Sequence, residues 1–184
     1  MSFAFVSGNP ALDLAGTRKW RHDDHPEELL QQPADLRRWL DEVPDVPHDL
    51  DVDAPTFEVA LGLREAVYRL ASDRVRGDSF DSTNLAVVNG LAARPGLRVR
   101  LTSSGLHREG SALEALADIA RAAISILADP EACLKECSRP TCTRIYVDRS
   151  RGARRTWCGM DECGNRVKAA AYRARKRATA TTTA

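Results

Sequence analysis

Four cysteines near the C-terminus fall into two pairs of equal spacing. Cys137 and Cys142 have four residues between them, Cys158 and Cys163 again have four, and fifteen separate the pairs. A tetrahedral zinc ion takes four soft ligands from two short loops, and knuckles with two to four residues between their cysteines supply them. The competing chemistry is a pair of disulfides. The N-terminal MSFAFVSGNPALDL lacks the basic segment and long apolar run of a secretory leader. That predicts a cytoplasmic protein, where thiols stay reduced and paired cysteines more often hold metal. With cysteine at all four positions no site is open to water, so the zinc is structural. Cys133, the fifth cysteine, is expected to pack at a helix end.

Residues 135 to 177 carry thirteen Lys or Arg against four acids, a formal +9 in a chain of net charge +1, so the rest sums to −8. Four thiolates on one zinc subtract about two from the first figure. A basic module beside an acidic one suggests a polyanion partner, usually nucleic acid. Arg149, Arg151, Arg154 and Arg155 lie between the knuckles and can clamp backbone phosphates. After Cys163 an alanine-rich helix is expected, carrying Arg166, Lys168, Arg173, Arg175, Lys176 and Arg177. At 100° per residue Arg166, Arg173 and Arg177 fall within about 40° of one another, a stripe able to follow phosphates or enter a groove. Asn165 and Arg166 can read adenine and guanine edges. Asn165 can equally cap the helix, and Arg166 can bond the cysteine loop. The competing reading of the patch is a solvated helix whose arginines pair with the acidic region or with a protein partner.

This stretch resembles the CGNR zinc finger, on Cys163-Gly164-Asn165-Arg166, on Asp148-Arg149-Ser150-Arg151 and on Arg155-Thr156-Trp157-Cys158, where Thr156 stands in place of a usual second arginine. Leu12-Asp13-Leu14 with Thr17, and the string Leu63-Arg64-Glu65-Ala66, resemble the ABATE region found before such fingers. Gly16 stands where that family usually has asparagine. The resemblance implies a stress-linked transcription regulator: an N-terminal α/β domain that senses a signal, a protein partner or a small-molecule effector, and a finger that contacts DNA. A symmetric DNA site would call for a homodimer.

The elements that must position these residues are read from periodicity. Ala11 to Ala15 alternates loosely, as a strand would. Thr17 to Gln32 has no period; its His22-Asp23-Asp24-His25 cluster reads as a metal or catalytic group or, more plainly, as a solvated loop. Pro33 to Val43 is a helix with Leu36, Trp39, Leu40 and Val43 on one face. Thr56 to Arg76 is the longest helix, with Val59, Leu63, Ala66, Val67 and Leu70 inside and Gly77 as its stop. Its Arg64 either lines an effector pocket or sits half-exposed. A helix from Asp81 or Ser82 runs to Ala93. Leu97 to Thr102 is a half-buried strand, with a partner from Leu106. Ser111 opens a helix through Leu127 whose apolar face includes Leu113 and Ile124.

The predicted architecture is α+β. Residues 1–130 form a helix-rich domain with a small sheet, 131–178 a four-cysteine finger with a basic helix, and 179–184 a disordered tail. Ile145, Tyr146, Val147 and Trp157 form the finger's mini-core. No stretch approaches the eighteen apolar residues of a membrane span. There is no phosphate-cradling Gly-rich loop, nucleophile elbow or His-Glu-x-x-His helix, so the chain reads as a non-enzyme.

Overall fold

The computed structural model describes residues 2–170 together with 172 and 173. Asn9 and Pro10 start the first helix, α1 (Pro10–Ala15). The Asn9 side chain accepts from the Ala11 N–H at 2.9 Å, and Pro10 takes a first-turn position where its missing N–H costs nothing. Every residue from Ala11 to Ala15 is buried. A helix buried all round shows no amphipathic period, so its sequence passes for a strand. The strand expected at Ala11 to Ala15 is therefore a helix.

A two-residue antiparallel ladder follows, β1 (Arg18–Lys19) with β2 (Glu27–Glu28), within the stretch that has no period. Its connection carries His22, Asp23, Asp24 and His25, all exposed, as a solvated loop would. Helix α2 is Pro33–Glu42, and α3 is Ala54–Arg76. Asp53 caps α3 by accepting from the Thr56 N–H at 2.8 Å, and Gly77 ends it at φ 76°, left-handed backbone that glycine adopts without strain. The inward face of α3 is Phe57, Ala60, Leu63, Val67 and Leu70; Val59, expected inside, is exposed. Helices α4 (Ser82–Ala92) and α5 (Ala112–Ala128) close the bundle. Ser111 and Glu114 form a capping box on α5, whose Ala115, Ala120 and Ala123 let α1, α3 and α4 approach closely. Ile124 points outward.

Strands β3 (Arg98–Thr102) and β4 (Gly105–Glu109) form an antiparallel hairpin that is not half-buried as expected. Val99, Leu101 and Leu106 are 58%, 87% and 59% exposed. Alternation shows that a ribbon has two different faces, not that either face is covered.

Arg64 is buried rather than half-exposed. Only 3% of its side chain is exposed; it donates to Glu28 at 2.6 Å and to Glu65 at 2.9 Å. Arg21 meets Glu65 at 2.5 Å and lies 4.0 Å over the Tyr68 ring, so the network ties the β1–β2 segment to α3. Arg64→Met is expected to destabilise the chain by about 2 kcal/mol. That is below the 3–5 kcal/mol for breaking a fully buried pair, because Glu28 and Glu65 are each about one-third exposed. A urea midpoint equal to wild type would show that the network adds nothing.

The last ladder, β5 (Leu134–Glu136) with β6 (Ile145–Val147), joins the cysteine region to this bundle. Side chains alternate across a strand. Ile145 and Val147 enter the main core, while Tyr146 packs on the cysteines. The expected separate mini-core is thus split between two cores. The Val147 N–H donates to the Ser7 carbonyl at 2.8 Å, and the buried Arg144 donates to the Ala4 carbonyl at 2.7 Å. Gly16 leaves room for that arginine: a Cβ there would lie 2.9 Å from Arg144 Nη1. Asp13, beneath this junction, accepts from the Ser7 N–H at 2.8 Å. Burial pushes its carboxyl up, and the Ser7 bonds only partly offset this.

Candidate metal centre and nucleic-acid interface

Two tight turns bring the thiols together. In the first, the Cys142 N–H donates to the Arg139 carbonyl at 2.8 Å. In the second, the Cys163 N–H donates to the Gly159 carbonyl at 3.1 Å, and Met160–Gly164 winds as one wide π-helical turn. The sulfurs of Cys137, Cys142, Cys158 and Cys163 all lie within 4.8 Å of one another. Cys142 to Cys158 is 3.9 Å and Cys158 to Cys163 is 3.6 Å. Disulfide sulfurs stand about 2.05 Å apart, so none is formed. Four sulfurs at 2.3 Å from a tetrahedral zinc stand roughly 3.8 Å from one another. The donor set therefore fits zinc. Contact with Cys137 pushes the Cys142 and Cys158 thiols up. As ligands of a zinc ion the four cysteines would be held as thiolates, and binding would release their protons.

The surroundings match a buried, charged cluster. The Cys158 N–H points at Cys137 Sγ at 3.4 Å, and Arg139 Nη1 lies 3.9 Å from Cys163 Sγ. Such donors beside ligating sulfur orient it and temper its charge. Tyr146, Trp157 and Val6 pack around the cysteines, and Val6 comes from the N-terminal segment. Cys133 sits outside the cluster, just before β5 rather than at a helix end, and its carbonyl accepts from the Asp148 N–H at 2.8 Å. A Cβ on Gly164 would lie 2.6 Å from Met160 Sδ and 3.2 Å from Trp157 Cδ1. The glycine of the tetrad therefore answers a packing demand.

Between the knuckles, Asp148 pins the loop. Its buried carboxylate accepts from Lys135 Nζ at 2.8 Å, Ser150 Oγ at 2.6 Å and the Arg155 N–H at 3.0 Å. Burial pushes this carboxyl up, but the Lys135 and Ser150 hydrogen bonds outweigh it and hold it well below the ordinary carboxylate range. Lys135 also donates to the Ala153 and Arg155 carbonyls. The aspartate and serine thus shape the loop that presents Arg149, Arg151 and Arg154, all three exposed.

Arg155 belongs elsewhere. Expected as a phosphate contact, it turns inward instead. Its guanidinium donates to the carbonyls of Trp157 at 2.8 Å, Val6 at 2.7 Å and Cys158, and lies 4.3 Å from the Tyr146 ring centre. Its neighbour Thr156, in place of a second arginine, faces solvent.

After Gly164 the backbone is helical over residues 165–170 and again at 172 and 173, with Arg166, Lys168 and Arg173 exposed. Asn165 donates to Asp161 Oδ1 at 3.2 Å, a bond within its own turn. Arg166 and Arg173 line a groove with Arg139 and Pro140 of the first knuckle. Arg175, Lys176 and Arg177 lie outside the described residues, as do the tail residues 179–184.

Sequence reasoning missed Lys135, Arg139 and Arg144. The one signal for Arg139 is its place between Cys137 and Cys142. Lys135 and Arg144 flank the first pair, but nothing in their spacing shows that their heads turn inward. No helix among the described residues is long and apolar enough to cross a membrane.

Two family patterns match the chain in sequence. The CGNR zinc finger matches residues 134–176, the segment holding the four converging thiols. No curated protein matches the chain significantly. Neither family description names a catalytic activity. The larger match, over residues 8–130, takes in the five-helix bundle on which that finger is seated, and through it the chain belongs to the ABATE family, described as "Putative stress-induced transcription regulator".

Proposed function

We propose that this protein is a DNA-binding transcription regulator. The zinc finger lies on duplex DNA through Arg149, Arg151, Arg154, Arg166, Lys168 and Arg173, and the N-terminal domain receives the signal. The observation that carries this reading is a contrast in pairing. In residues 1–130, ten of thirteen arginines lie within 4.0 Å of a carboxylate. Those six finger cations have no carboxylate at that distance among the described residues, although the bundle beside them is acidic. A patch left unpaired is available to phosphates. Such contacts supply affinity, whereas sequence choice needs base edges, for which Arg166 has the chemistry.

Fluorescence anisotropy with labelled duplex, zinc-loaded full-length protein and a salt series tests this. Six phosphate contacts predict a slope of about −5 in log K against log salt, a loss of roughly 10³-fold from 50 to 200 mM. Arg151→Ala and Arg173→Ala should each lower the slope by about 1. No binding at low salt with zinc present would sink the proposal. A protein partner then becomes the better reading, favoured by the exposed apolar side chains of the β3–β4 hairpin.

A further inference from the structure

We propose that the cleft between the β1–β2 hairpin and the first cysteine knuckle binds a small organic anion bearing a carboxylate or phosphate, and that this is where the signal enters. The cleft measures about 250 Å³, below the usual 300–1,000 Å³ of drug-sized sites, so its occupant is small. One wall is Arg18, Lys19, Trp20 and Glu27 from the hairpin; the other includes Arg139, Arg144 and Arg166 from the finger. Five cations thus face two carboxylates, Glu27 and Glu162. A zinc tetrathiolate adds about −2, so the walls stay positive with metal bound.

Three details point to a ligand rather than a charged crevice. Arg144 is buried, yet its guanidinium bonds only backbone carbonyls, those of Ala4 and Gly16. Arg139, Arg144 and Arg166 have no carboxylate within 4.0 Å among the described residues. Asp13 acts on Arg144 only from beyond 4.0 Å, so its donors have no carboxylate in direct contact, and a planar carboxylate or phosphate suits them. Trp20 adopts φ 51°, a left-handed conformation uncommon for a bulky residue, at the rim of the cleft. Backbone strain of this kind concentrates at binding sites.

The position also suggests what binding does. Arg139 and Arg166 line both this cleft and the groove beneath the basic helical segment. An anion that engages them occupies Arg166, one of the proposed DNA contacts, and neutralises its neighbour Arg139, so occupancy weakens DNA binding, and by linkage DNA weakens anion binding. Anion binding itself needs no DNA, so the two readings fail separately.

Isothermal titration of zinc-loaded full-length protein with succinate and with inorganic phosphate, in chloride buffer without DNA, tests the site. At least one should bind saturably at one per chain with Kd below about 1 mM. Arg18→Gln and Lys19→Met should each weaken it about tenfold with zinc content unchanged, whereas Arg98→Gln on the distant hairpin should not. Two variants guard against misfolding in either. Failure of both anions to bind, binding that survives both cleft variants, or equal weakening by Arg98→Gln would overturn the inference, the last as an adventitious ion only. A duplex competition separates the sources. If Arg173→Ala weakens the anion as much as Lys19→Met does, the cleft is part of the DNA track and takes backbone phosphate rather than a free anion.

Discussion

Cys158→Ser is expected to lose its zinc and to destabilise the whole chain, not the C-terminal segment alone. Structural zinc contributes on the order of 10 kcal/mol to peptide fingers at neutral pH, as much as the total stability of many domains. In a finger tethered by a flexible linker, that loss would stay local. Here Ile145 and Val147 belong to the bundle core, and the Val147 N–H is bonded to the Ser7 carbonyl. Unfolding the knuckles therefore strips two apolar side chains from α3's surroundings and releases the N-terminal segment. In a domain of this size 1 kcal/mol moves Tm by about 2–4 °C, so a drop of at least about 10 °C is expected. Zinc content, a thermal melt, and hydrogen exchange at the Val147 amide check it together. A variant that kept a full equivalent of zinc would show the four-cysteine site to be wrong. Lost zinc with an unchanged melt of the bundle would show that the two parts fold independently.

The zinc site was legible because ligand type and spacing are local properties, and Cys137, Cys142, Cys158 and Cys163 carry both. The long helices were legible for a similar reason. Gly77 and Ser111, the expected stop and start, mark two of their ends with backbone angles or local hydrogen bonds, whereas the Asp53 cap is not among the expected signals and α3 begins at Ala54, two residues before the expected Thr56. What failed depended on distant partners. Helix α1 is buried on every side, so it shows no amphipathic face, and its start signal at Asn9-Pro10 looks like a turn. The β3–β4 hairpin alternates as a half-buried strand does, yet no layer covers it, and alternation cannot tell the two apart. The burial of Arg64 and Arg144 is not visible in the sequence, because each has an acceptor far along the chain, 36 and 140 residues away. Tyr146 was placed with its neighbours, but a strand buried on both faces serves two cores at once.

Arg155→Ala separates the two roles a finger arginine can have. As a phosphate contact it would cost about tenfold in DNA affinity and about 1 in salt slope, with zinc and stability untouched. The structure gives it a different task. Its guanidinium donates to three carbonyls, those of Trp157, Cys158 and Val6, and stacks on Tyr146 against the thiols. Charged donors are worth about 1.5–3 kcal/mol each when removal strands their acceptors, and the partial exposure of Arg155 argues for the low end. The expected loss is about 3–5 kcal/mol, with weakened zinc retention against a chelator. Arg155→Lys keeps the charge but lacks the planar fork, so it should recover little of this. Arg151→Ala, on the same loop but exposed, should leave stability within about 0.5 kcal/mol and change only DNA binding. If Arg155→Lys behaved as wild type in the melt and in zinc retention, charge alone would be what that position needs, and its place among the phosphate contacts would be restored.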